Sequence, residues 1–221
     1  MTNIQRWFGN GVQGILELLI TAFCVFLSLS IHEVSHGYAA RLLGDDTAKS
    51  MGRLSLNPRA HLDPIGAICL FLFGFGWANP VPVNPRNFSK TSMKSGMVIT
   101  SLAGPVSNIL TAFVCMILIR LLRFCGSGIW IFPIYTVLSV MISMNLSLAV
   151  FNFIPVPPLD GYKILSAVLP PKYYFKLMQY ERYGFIILLL IIYLKPFNLL
   201  LSAAVNGIYG LLAAVLSILP F

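Results

Sequence analysis

The stretch "IHEVSH" at 31–36 sets His32 and His36 four residues apart, with Glu33 beside the first. On a helix, residues i and i+4 share a face one turn apart, so two imidazoles at this spacing can grip one metal ion. A catalytic zinc takes three protein ligands and leaves a fourth position for water. A glutamate beside that position can take the water's proton and deliver it to a leaving amine. The pattern therefore points to metal-assisted amide hydrolysis, with His32 and His36 as ligands and Glu33 as general base. The competing reading is a pair of neutral, hydrogen-bonded histidines with Glu33 paired to a cation. The surroundings weigh against it, because three ionisable groups inside an apolar run are costly unless they have work to do.

The third ligand has few sources, since the chain holds only seven Asp and Glu. Glu17 is about 22 Å from His32 by helical rise. Asp45, Asp46 and Asp63 fall in a polar loop, and Glu181 in a basic, aromatic segment. Asp160 stands in "NFIPVPPLDGYKIL", where prolines end one apolar run and Asp-Gly opens another. Prolines hold the backbone extended and Gly161 lets it turn, so Asp160 can be aimed back at the histidines. It serves equally well as N-cap of the short helix that follows, and the residues alone leave both readings open. His61, the remaining histidine, suits a hydrogen-bonding group behind the ligands, an alternative ligand, or an interfacial loop residue bonded to Asp63 or backbone.

The elements that must position these residues are membrane-spanning helices. The 221 residues are 57% hydrophobic and only 10% charged, against about 25% charged in ordinary soluble domains. Several apolar runs reach the roughly 20 residues needed to cross hydrocarbon. A first helix is expected from about Ile15 to Leu43, with Gly44 as its C-cap. It is too long for a signal-peptide h-region. Trp7 and Phe8 beside Arg6 suit an interfacial anchor. Further spans are expected over about 95–119 and 129–153, then a short helix from Asp160 to Leu169, a basic segment over 172–182, and two apolar runs over 183–194 and 198–219. The chain reads as one membrane domain over 1–221, with a core over about 15–169.

"PIGAICLFLFGFGW" (Pro64–Trp77) is apolar but only about fourteen residues long, the length range of a re-entrant segment. Charge supports that reading. If the segment dips in and returns, eleven of the fifteen Lys and Arg share one side of the membrane; if it crosses, they divide almost evenly. The positive-inside bias favours the first case, with the N-terminus outside. The proline-rich "NPVPVNP" (79–85) reads as an extended connection, or as an edge to which an unwound substrate could add as a strand.

The net charge of +8 comes from residues spread over short loops. They have no aromatic-basic platform, so the charge fits anionic lipid and not nucleic acid. Cys24, Cys69, Cys115 and Cys125 are scattered without a CxxC pair and read as reduced packing residues. An ion transporter would be expected to show repeated halves. None is visible.

Three motifs in order, "HEVSH", "LAGPVSN" (102–108) and "NFIPVPPLDG" (152–161), resemble the site-2 protease family of intramembrane metalloproteases. "WANPVPVNPRNF" (77–88) resembles its compact bacterial and archaeal branch, without PDZ or CBS domains. The resemblance implies one zinc ion held by His32, His36 and Asp160, with Glu33 as general base. It assigns Asn152 to holding the substrate or the developing oxyanion, a task that suits an amide donor. It implies an all-α polytopic protein of about five to six transmembrane helices. A three-helix catalytic core would enclose a re-entrant or strand-like segment between its first two helices. The implied partners are a transmembrane protein or peptide substrate and the lipid bilayer. The expected setting is a prokaryotic cytoplasmic membrane, with the active site towards the cytoplasm. Nothing in the residues indicates an oligomeric state.

Overall fold

In a computed structural model the chain is described at residues 7, 9, 11–73, 76–125, 128 and 131–218. The expected anchor at Arg6 and Phe8 lies outside these. The elements are α1 (Gly11–Leu42), α2 (Thr47–Ser50), α3 (Pro64–Phe73), α4 (Met93–Leu122), α5 (Ile131–Asn152), α6 (Asp160–Val168), α7 (Pro171–Tyr180), α8 (Gly184–Ile192) and α9 (Lys195–Ile218). Among the described residues there is no strand, and a single β-bridge joins Leu62 to Ala78. An all-helical span keeps every backbone polar group paired within its own segment, which hydrocarbon demands.

Four helices, α1, α4, α5 and α9, are long and apolar enough to cross a membrane. The five to six spans expected from the sequence include two runs that fold shorter. Helix α3 has ten residues and α8 nine, about 15 Å and 14 Å of rise, against a hydrocarbon thickness of about 30 Å. The ends of α1 and α4 follow local chemistry. Gly44 takes φ +108°, the left-handed geometry that closes α1, and the Ser92 hydroxyl accepts the Ser95 N–H at the start of α4.

Helices α1, α4 and α5 pack on one another, with α6 against α4 and α9 against α5. One half of this bundle is apolar, built on Cys24, Ala112, Met116, Met141, Leu146 and Leu216. Cys24, Cys69 and Cys115 are free thiols. The other half buries polar groups. Asn145 donates to the Ser28 hydroxyl at 2.8 Å and so ties α5 to α1. Large side chains such as Leu19, Phe23, Leu110, Val114, Leu199 and Leu211 stand exposed, as they must where acyl chains are the solvent.

The segment after α2 enters and leaves at one place. Leu62 bridges Ala78, and the Asn79 N–H donates to the His61 carbonyl at 2.7 Å. A segment that crossed would hold its ends about 30 Å apart. The 64–77 stretch thus begins and ends at one place, as the re-entrant reading requires, and Trp77 at its far end meets Phe185 of α8 edge to face at 5.4 Å.

Candidate active site

His32 and His36 lie in the last three turns of α1, both buried. Asp160, 124 residues beyond His36, opens α6, and only 3% of it is exposed. Its Oδ2 lies 3.1 Å from Nε2 of His32 and 3.0 Å from Nε2 of His36, and the two Nε2 atoms are 3.1 Å apart. The structure thus brings together the three residues named as ligands. Asp160 is not a cap: Leu159 occupies that position, and the aspartate's carboxylate is turned to the histidines and to Lys163, whose Nζ donates to Oδ1 at 2.9 Å.

Two neighbours in α4 decide how the imidazoles face. The Thr100 carbonyl, which can only accept, takes His36 Nδ1–H at 2.7 Å, and Asn108 Oδ1 stands 3.3 Å from His32 Nδ1. With Nδ1 carrying the proton, each neutral ring turns the Nε2 lone pair inward. Three lone pairs then converge across about 3 Å with no hydrogen between them, and Asp160 Oδ2 has no hydrogen-bond partner. Such an arrangement is repulsive unless a cation lies among them. Its edges are close to the roughly 3.3 Å that separates ligand atoms around a tetrahedral zinc with bonds of about 2.0 Å. The donor set fits zinc in number, type and orientation.

Close approach of α4 depends on a bare backbone. A Cβ placed on Gly104 would stand 2.5 Å from both His32 Cε1 and His36 Nε2. Gly104→Ala is therefore expected to displace the rings and weaken zinc binding by about 10- to 100-fold, the range seen when ligand orientation is disturbed. Competition with a chromogenic chelator measures this, and circular dichroism should show unchanged helix content. Gly161 is similarly confined, since a Cβ there would meet the carbonyls of Phe153 and Ile154. The Asp-Gly turn lies directly on the end of α5.

The other named residues fall as follows. Glu33 is half-buried, and its Oε2 accepts the Val81 N–H at 2.8 Å. Asn152, at the end of α5, turns its amide back to the Leu148 carbonyl at 3.0 Å. His61 is buried, but its Nε2 bonds the Ser55 carbonyl at 2.7 Å. The bonds to the histidine pair come instead from Thr100 and Asn108. Asn108 reads in sequence as a helix-packing residue, and Thr100 acts through its backbone. The 79–84 stretch has N–H donors at Asn79, Val81, Val83 and Asn84. Three of them serve His61, Glu33 and Asp45, which leaves an added substrate strand only the Val83 donor.

An apolar cleft of about 570 Å³ is lined by Leu29, Trp77, Leu148, Phe151, Phe185 and Leu189 among others. Leu29 precedes His32 and Glu33 by one helical turn.

A helical membrane protein with two histidines and an aspartate converging beside a glutamate has the build of a metallopeptidase. The description "Peptidase family M50" matches residues 129–192. YwhC of Bacillus subtilis, by name a candidate zinc metalloprotease, is 40% identical over 86% of this chain and 90% of its own. Rip2 of Mycolicibacterium smegmatis, a candidate zinc metalloprotease by name, is 26% identical over 84% of this chain and 70% of its own. The zinc metalloprotease MJ0392 of Methanocaldococcus jannaschii is 28% identical over 67% of this chain and 34% of its own. No solved structure gives a significant match. The chain belongs to peptidase family M50, the site-2 protease family, and is a membrane metalloendopeptidase.

Proposed function

We propose that this protein is an intramembrane zinc endopeptidase that hydrolyses peptide bonds within or next to the transmembrane segments of substrate proteins. The observation that carries the reading is the convergence of buried His32, His36 and Asp160, with both histidines on a helix long and apolar enough to cross a membrane. A single zinc ion held by the three residues supplies Lewis acidity towards the scissile carbonyl. Glu33 takes the proton from the attacking water and returns it to the leaving amine. Asn152, once its amide leaves the Leu148 carbonyl, donates to the substrate or to the developing oxyanion. A helical substrate hides its carbonyls in its own hydrogen bonds, so the segment must unwind locally before attack. The cleft beside Leu29 offers its side chains an apolar lining while that happens. The cationic bias supports an N-terminus outside and a site on the cytoplasmic side of a prokaryotic membrane.

The test uses purified protein in liposomes with a fluorescent transmembrane peptide. Cleavage is expected to stop on chelation and to return with one equivalent of zinc. Cleavage that persists in fully chelated protein overturns the reading, as does cleavage confined to soluble peptides. Cysteines introduced at positions 53 and 90 should label from the same side of the membrane.

A further inference from the structure

The stretch from Asn79 to Asn84 lies as a strap across the C-terminal end of α1, and its hydrogen bonds can be counted singly. Prolines at 80, 82 and 85 carry no N–H. The Asn79 N–H donates to the His61 carbonyl at 2.7 Å, Val81 to Glu33 Oε2 at 2.8 Å, and Asn84 to Asp45 Oδ2 at 2.7 Å. From the other side, the Arg53 guanidinium donates to the carbonyls of Asn79 at 2.7 Å and Pro80 at 3.2 Å. The strap is thus gripped on both sides of Val81.

Asp45 is the principal anchor. It is fully buried, and its Oδ1 also accepts the Thr47 N–H at 3.1 Å, the Thr47 hydroxyl, and Asn87 Nδ2 at 2.9 Å. Burial works against its charge, yet the bonds from Thr47, Asn84 and Asn87 outweigh that and hold its pKa below the ordinary range. Val81 is fixed by its side chain as well, since it is buried against Gly37, one residue after His36. A loop needed only to connect α3 with α4 has no reason to aim the lone donor between two prolines at Glu33. Glu33 Oε1 has no hydrogen bond among the described residues. The Val81 bond therefore holds one carboxylate oxygen and leaves the other open.

We propose that Asp45 and Arg53 are positioning residues of the peptidase site: they hold the strap so that the Val81 N–H sets the orientation of the Glu33 carboxylate. The inference rests on Glu33 being the general base, and it adds that the base is aimed by backbone outside α1. Misplacing a reacting group by an ångström costs about 10²-fold in rate.

Two measurements test it. In zinc-free protein labelled with 15N-valine, the Val81 amide proton should resonate downfield and move upfield in Glu33→Gln and in Asp45→Asn alike. In the zinc-loaded enzyme, Asp45→Asn and Val81→Pro should each lower kcat about 10²-fold, with KM within about twofold and zinc content unchanged. The double variant Asp45→Asn/Val81→Pro should be no slower than the slower single, since both break one connection. Should Val81→Pro not fold, the same comparison is made between Asp45→Asn and Arg53→Met. An unmoved Val81 resonance in Asp45→Asn overturns the proposal. So do a parent-like kcat in the strap variants and losses that multiply in the double. A Glu33→Gln enzyme that still cleaves normally defeats the general-base reading instead, whatever the strap variants do.

Discussion

Glu33→Gln is expected to lower the rate of cleavage about 10²- to 10⁴-fold, the usual contribution of a positioned general base, while its zinc content stays at the parent level. The substitution is close to isosteric, and the glutamine oxygen can still accept the Val81 N–H that now meets Oε2 at 2.8 Å. The amide cannot take a proton from water at neutral pH. His32, His36 and Asp160 are untouched, and the groups that orient them, Thr100 and Asn108, lie on another helix. Metal content by atomic absorption and cleavage of a transmembrane peptide, measured on the same preparation, separate the two effects. Loss of zinc together with activity would make Glu33 part of the metal-holding structure. Undiminished cleavage would remove it from the chemistry.

What could be read from the residues depended on whether the information lies in side-chain type or in backbone. The HExxH spacing is a property of helix geometry, so His32, His36 and Glu33 are legible at once. Asp160 is legible only as one of two readings, because an aspartate before a glycine at a helix start is also what a cap looks like. The structure puts Leu159 at the cap position and turns the Asp160 carboxylate to His32, His36 and Lys163, and neither Leu159 nor Lys163 advertises that in sequence. The re-entrant segment was accessible through charge, since its length and the distribution of Lys and Arg both depend on which side its ends lie, and Leu62 and Ala78 do meet. The span count was less accessible, because apolar composition over 183–194 cannot show that the helix stops at Ile192, after nine residues. The Thr100 carbonyl on His36 and the Val81 N–H on Glu33 could not have been read at all. Every residue but proline carries the same donor and acceptor, so their placement is a result of packing and not of type.

Asp160→Asn is expected to weaken zinc binding by more than the 10- to 100-fold seen for residues that only orient ligands, and to abolish cleavage at limiting zinc. The reason is charge. A histidine binds a metal as the neutral imidazole, so with His32 and His36 as ligands Asp160 would be the only anion of the three and the direct offset to a divalent cation in a buried site. An asparagine keeps the size and can place its oxygen on the metal, but it lacks the charge, and its NH₂ competes for the same inward position. A capping role makes the opposite forecast: removing an N-cap would destabilise α6 and leave zinc affinity alone. Here Leu159 holds the cap position and Asp160 is already inside the first turn, where a carboxylate gains only about 0.3–1 kcal/mol from the helix dipole. Thermal unfolding of the zinc-free protein should therefore change little, while the zinc dissociation constant from chelator competition moves by at least two orders of magnitude. Parent-like zinc affinity with a lowered unfolding temperature would return Asp160 to the role of a helix start and require another third ligand. Within hydrogen-bond reach of the two Nε2 atoms, no other carboxylate among the described residues is placed to serve.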